Sequence, residues 1–136
     1  MRKILFFAAI MMFPLSVSPA LAQMSADVKF EQGKDNAALS GTVTGNEYMD
    51  YVLGAAGGQT MSVDLAVIDS NGSGTVYFNI LPPGSDAEAI YIGSMDGNSA
   101  SIDLPEDGDY TIRVYQMGND KDNGKTTGFT ATVTIN

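Results

Sequence analysis

With no histidine and no cysteine among its 136 residues, the chain must do any chemistry with sixteen carboxylates, six tyrosines and seven lysines or arginines. That composition excludes serine-histidine-aspartate and cysteine-histidine catalysis, and zinc sites built on those ligands. A pair of carboxylates could still cleave a glycoside. The acids, however, fall mostly in turns or at outward positions of strands, where nothing would enclose a carboxyl and raise its pKa. No catalytic residue is assigned, and the chain is read as a non-enzyme.

The acidic turn "GNDKDNG" at 118–124 invites a calcium reading, but its spacing is wrong. Counted from Asp120, the glycine comes one position early, and Ala131 stands where a calcium loop needs its closing glutamate. It reads as a solvated turn, with no metal. The glycines of "GAAGG" at 54–58 lack the strand-to-helix setting of a phosphate cradle. No cofactor is implied.

The best-placed hydroxyl is that of Tyr110, in "LPEDGDYTIRVYQM" at 104–117. A polar turn feeds this tyrosine into a strict alternation. Tyr110, Ile112 and Val114 share one face, with Thr111, Arg113 and Tyr115 on the other. Two roles stand side by side. Glu106, Gly108 and Tyr110 have the spacing of a tyrosine corner, whose hydroxyl ties the preceding loop to its strand. Alternatively, the exposed turn carries Tyr110 to a partner.

The elements that position this turn repeat the same two-residue period. Met61, Val63, Leu65 and Val67 alternate with polar or small residues, as do Val76, Phe78 and Ile80, then Ile102 and Leu104, then Phe129, Ala131, Val133 and Ile135. Turn residues separate them at 57–58, 71–74, 82–86, 96–98 and 122–124. Eight or nine strands with one apolar face each must pack as two sheets or close as a barrel. The expectation is all-β: a single antiparallel β-sandwich of about eight or nine strands, with no convincing helix.

Arg2 and Lys3 precede an apolar run that ends at Ala20-Leu21-Ala22, the form of a signal peptidase site. Residues 1–22 are read as a secretory signal and residues 23–136 as one domain. No later segment is apolar for the roughly 20 residues a membrane helix needs. The mature protein is expected to be exported, and periplasmic in a Gram-negative host, without membrane insertion. It would keep five basic residues against all sixteen acids, a net charge of about −11. That charge repels nucleic acid and anionic lipid. A basic protein is the complementary partner.

The segments "SGTVTGNEYMDYVLGAAGGQTMSV" at 40–63, "YFNILPPGS" at 77–85 and "LPEDGDYTIRVYQMGND" at 104–120, behind a signal and "VKF" at 28–30, resemble the bacterial periplasmic lysozyme inhibitors. The branches concerned act on invertebrate-type and goose-type lysozymes. The resemblance implies a β-sandwich, often a homodimer, that plugs the lysozyme cleft with a loop and protects peptidoglycan from a host enzyme. It also implies a contact role for an S-G-x-Y motif, which here reads Asp107, Gly108, Asp109 and Tyr110. A serine hydroxyl can donate to a catalytic carboxylate, whereas an ionised aspartate only accepts, so Asp107 would meet a rim Arg or Lys instead. Tyr48, in "GNEY", and Asn119 and Asp120, after the strand, complete the candidate contact set. Two arginines that contribute in goose-type inhibitors correspond to Gly118 and Asp122, which argues against that branch. The rival reading is a non-catalytic binding module for glycan or protein, like the accessory domains of secreted peptidases. For glycan, Tyr77, Tyr91 and Tyr115 are the outward rings.

Overall fold

The computed structural model describes residues 24–30 and 35–136. The expected signal segment and its cleavage position lie outside the described residues. Among the described residues, nine strands form two sheets. The first contains β1 (Met24–Asp27), β3 (Tyr48–Ala55), β8 (Gly108–Gln116), β5 (Val76–Leu81) and β6 (Tyr91–Ile92), in the order β1-β3-β8-β5-β6. The second contains β2 (Asn36–Thr44), β9 (Thr126–Ile135), β4 (Thr60–Ser70) and β7 (Ser99–Asp103), in the order β2-β9-β4-β7.

The all-β sandwich expected from the alternation is what the chain adopts, with two corrections of detail. β1 runs parallel to β3, while the other pairs are antiparallel. The described residues include two single-turn helices, α1 (Gly93–Asp96) and α2 (Gly118–Asp122). Turns this short carry no apolar stripe, so no helical period marks them in the sequence.

Alternate residues of both sheets meet in one core. Tyr110, Ile112 and Val114 of β8, Phe78 and Ile80 of β5, Met61 and Val63 of β4, and Phe129 and Val133 of β9 are fully buried. Each such side chain contributes about 1.5–3 kcal/mol by leaving water. Tyr51 and Phe129 meet edge to face, 6.2 Å apart, across the two sheets. Gly41 lies against both rings; a Cβ there would sit 2.6 Å from the Tyr51 hydroxyl. Val67, the fourth residue of its alternation, is 45 % exposed because the register shifts between Val67 and Asp69 at the end of the sandwich.

Candidate functional site

β8 divides the candidate contact residues into two groups. Its nine residues separate Gly108 from Gln116 by roughly 27 Å at the usual strand rise. Asp107, Gly108 and Tyr110 lie at one end of the sandwich. Tyr48 pairs with Tyr115 near the other, where Asn119 and Asp120 follow on α2. One loop entering one cleft cannot present both groups.

At the first end, the motif residues hold the fold together. Tyr110 is 0 % exposed, and its hydroxyl donates to the Glu106 carbonyl at 2.6 Å while accepting the Glu106 N–H at 3.1 Å. This is the tyrosine corner, so the expectation that Tyr110 donates to a partner is corrected: its hydroxyl is sealed inside and already used. Asp107 is exposed, but its Oδ1 accepts the Gly57 N–H at 2.7 Å and binds the 56–59 turn. The chain closes further through Gly58 N–H to the Leu104 carbonyl and Leu104 N–H to the Gln59 carbonyl, both 2.8 Å. Gly108 has φ +143°, and a Cβ there would sit 2.8 Å from the Pro83 ring. Glycine is required at that position by conformation and by space.

At the opposite end, the loops at 71–75 and 117–125 are joined into one tip. Asp120 is 2 % exposed, contrary to its reading as a contact residue in a solvated turn. Its carboxylate accepts the N–H groups of Ser73 at 2.9 Å and Thr75 at 2.7 Å, and these bonds hold its pKa below the usual aspartate value, Thr75 first. Gly72 passes so close to the carboxylate that no Cβ fits beside Oδ1. The Asp120 carbonyl in turn accepts Lys125 N–H at 2.9 Å, closing the α2 turn.

A second network, centred on the buried Gln116 and Thr127, fastens the same loops. Gln116 occupies an inward position of β8 and is 2 % exposed. Its Nε2 donates to the Lys125 carbonyl at 2.8 Å, and its Oε1 accepts the Thr127 hydroxyl at 2.7 Å. Ser70 then donates to Thr127 at 2.9 Å. Asn71 and Thr126 exchange two bonds, side-chain Oδ1 from Thr126 N–H and Asn71 N–H to the Thr126 carbonyl. Sequence reasoning missed this network, although a glutamine continuing the Tyr110, Ile112, Val114 alternation is a legible sign of a buried polar group needing partners.

The tip this builds projects Met117, which is 42 % exposed, with Gly118, Asn119, Lys121 and Asp122 exposed beside it. Asn119 is therefore placed as expected, on the surface of α2. Tyr48 sits beside the tip with the Arg113 guanidinium 4.3 Å over its ring. Arg113 forks onto both oxygens of Asp50 at 2.8 and 2.9 Å, which raises its pKa further above the arginine value and fixes it over Tyr48. Gly118 has φ +66° and starts the helix turn.

No family model matches the chain. It is 29 % identical over 131 residues to an inhibitor of g-type lysozyme from Escherichia coli (strain K12), covering 93 % of both chains. Among solved structures, the periplasmic inhibitor of g-type lysozyme from Aeromonas hydrophila superposes with a TM-score of 0.74 at 34 % identity, over 83 % of this chain and 96 % of that one. The corresponding Salmonella Typhimurium inhibitor gives a TM-score of 0.65 at 25 % identity, over 83 % and 98 %. These relatives are inhibitors, and they do not favour the peptidase-accessory reading. They also correct the inference drawn from Gly118 and Asp122 against the goose-type branch. Both positions are exposed on α2. By identity, coverage and fold, the chain belongs to the family of periplasmic inhibitors of g-type lysozyme.

Proposed function

We propose that the chain is a periplasmic inhibitor that binds a g-type lysozyme and occludes its cleft with the tip formed by residues 117–125, with Tyr48 at its margin. The observation that carries this assignment of the tip is Asp120, a buried carboxylate that holds an exposed turn against its neighbours. A loop fixed before binding loses little conformational entropy on docking, and that favours affinity. Asp107, Gly108 and Tyr110 then serve inhibition only by keeping the sandwich closed.

Chemically, occlusion needs no covalent step. Met117 supplies apolar area, Asn119 both donates and accepts, and Lys121 offers the cation of the α2 turn to a carboxylate in a glycosidase cleft. The strong negative charge of the chain as a whole attracts a basic enzyme from a distance. The testing experiment is a titration of the mature protein against g-type, chicken-type and invertebrate-type lysozymes on a cell-wall substrate. Inhibition of the g-type enzyme at micromolar protein or below is expected, and its absence would overturn the reading.

A further inference from the structure

The outward face of the five-stranded sheet carries a row of three tyrosines. β3 and β8 pair Tyr48 with Tyr115, and β5 and β8 pair Tyr77 with Tyr115. All three are partly exposed, and the rings of Tyr77 and Tyr115 lie 6.3 Å apart at 43°. In the next row stand Asp50, Arg113 and Asn79. Tyr91, the other ring expected to face outward, is not part of this surface. It stacks on Phe78 at 5.3 Å and donates its hydroxyl to the carbonyls of Gly97 and Ser99.

We propose that Tyr77 and Tyr115 of this row form a stacking platform for a neutral oligosaccharide, a binding function beyond lysozyme inhibition, beside a Tyr48 ring already covered by the Arg113 guanidinium. The charge of the surface selects the ligand class. In a chain this acidic, the row is electrically closed: Arg113 is neutralised by both oxygens of Asp50, and its Nη1 donates to the Asp86 carbonyl at 2.9 Å. It offers no open charge to a basic protein or to a polyanion.

What it does offer suits a sugar. A pyranose has a face of C–H groups that gains by burial on an aromatic ring, and hydroxyls around its edge that need partners. Tyr115 donates to Asn79 Oδ1 at 2.7 Å, while the Asn79 amide nitrogen and the Tyr48 and Tyr77 hydroxyls have no hydrogen bond within the described residues. The Tyr77 and Tyr115 ring centroids stand 6.3 Å apart on neighbouring strands, so the two rings can follow consecutive residues of a glycan.

The test is to titrate the full chain with a β-1,4-linked N-acetylglucosamine oligomer and, in parallel, with an unsubstituted β-1,4-linked glucose oligomer, following the tyrosine ring protons by NMR. Saturable shifts of Tyr77 and Tyr115 with either oligomer are expected, and the preferred one tells an amino-sugar ligand from a plain glucan. Tyr77→Ala and Tyr115→Ala should each weaken binding by at least about tenfold and leave lysozyme inhibition unchanged. Absence of ring shifts with both oligomers overturns the proposal whatever the variants do. Loss of lysozyme inhibition in Tyr77→Ala, without saccharide binding by the parent chain, would assign the face to the protein partner instead.

Discussion

Asp120 and Thr75 lie forty-five positions apart in sequence and are joined by a 2.7 Å bond from backbone N–H to carboxylate. With the bond from Ser73, it turns two loops that could move separately into one body. The exposed residues of α2 are thereby held on a fixed support.

Asp120→Asn should loosen that support. A neutral amide has a single acceptor oxygen and cannot take both N–H groups with the strength of a carboxylate. The expected result is at least about tenfold weaker inhibition, with faster hydrogen exchange at the Ser73 and Thr75 amides and an intact sandwich core. Unchanged exchange at those amides would remove the clamp from the explanation.

The same carboxylate sets a pH dependence. Its folded pKa is depressed by the Thr75 and Ser73 N–H groups. The unfolded value is about 3.9. The stabilisation it provides is therefore complete above about pH 4 and is lost as the pH falls through the lower, folded value. Thermal melts of the parent chain and of Asp120→Asn should differ at neutral pH and converge below pH ~4. A constant difference down to strong acid would contradict the sign.

Tyr110→Phe should act on stability and not on inhibition. It leaves the Glu106 N–H and carbonyl without their buried partner, at a cost of about 1–3 kcal/mol. For a domain of this size that lowers Tm by about 4 °C per kcal/mol. Inhibition measured well below the melting temperature should match the parent chain. Lost inhibition at full stability would return Tyr110 to the contact surface.

The contrast between Tyr110 and Asp120 shows where a sequence is legible. The alternation around Ile112 and Val114 displays which side of β8 is buried, and the Glu106, Gly108, Tyr110 spacing displays the corner, because both depend on local pattern. Asp120 gave no such sign. Its partners are backbone N–H groups, which every residue but proline has, and they come from a loop distant in sequence. The tight space at Gly72 was visible only as one more glycine in "NGSG". Likewise, the pairing of Tyr48 with Tyr115 and of Asp50 with Arg113 depends on strand register, which alternation alone does not set between distant strands.

Long-range charge should appear in the kinetics. Raising salt from low to physiological ionic strength shortens the screening length to about 8 Å. Association with a basic lysozyme should then slow while dissociation changes little. Stopped-flow or surface-based association rates across a salt series check this, and a flat series would exclude steering.

Because the chain has no cysteine, single cysteines can be placed at either end of the sandwich and modified selectively. Asn119→Cys on α2 and Glu106→Cys in the corner loop, each coupled to a bulky maleimide, can be compared by titration against a g-type lysozyme. Inhibition through the tip predicts that the adduct at position 119 abolishes inhibition while the adduct at position 106 leaves it near the parent level. The reverse pattern would contradict it and place the contact at the tyrosine corner.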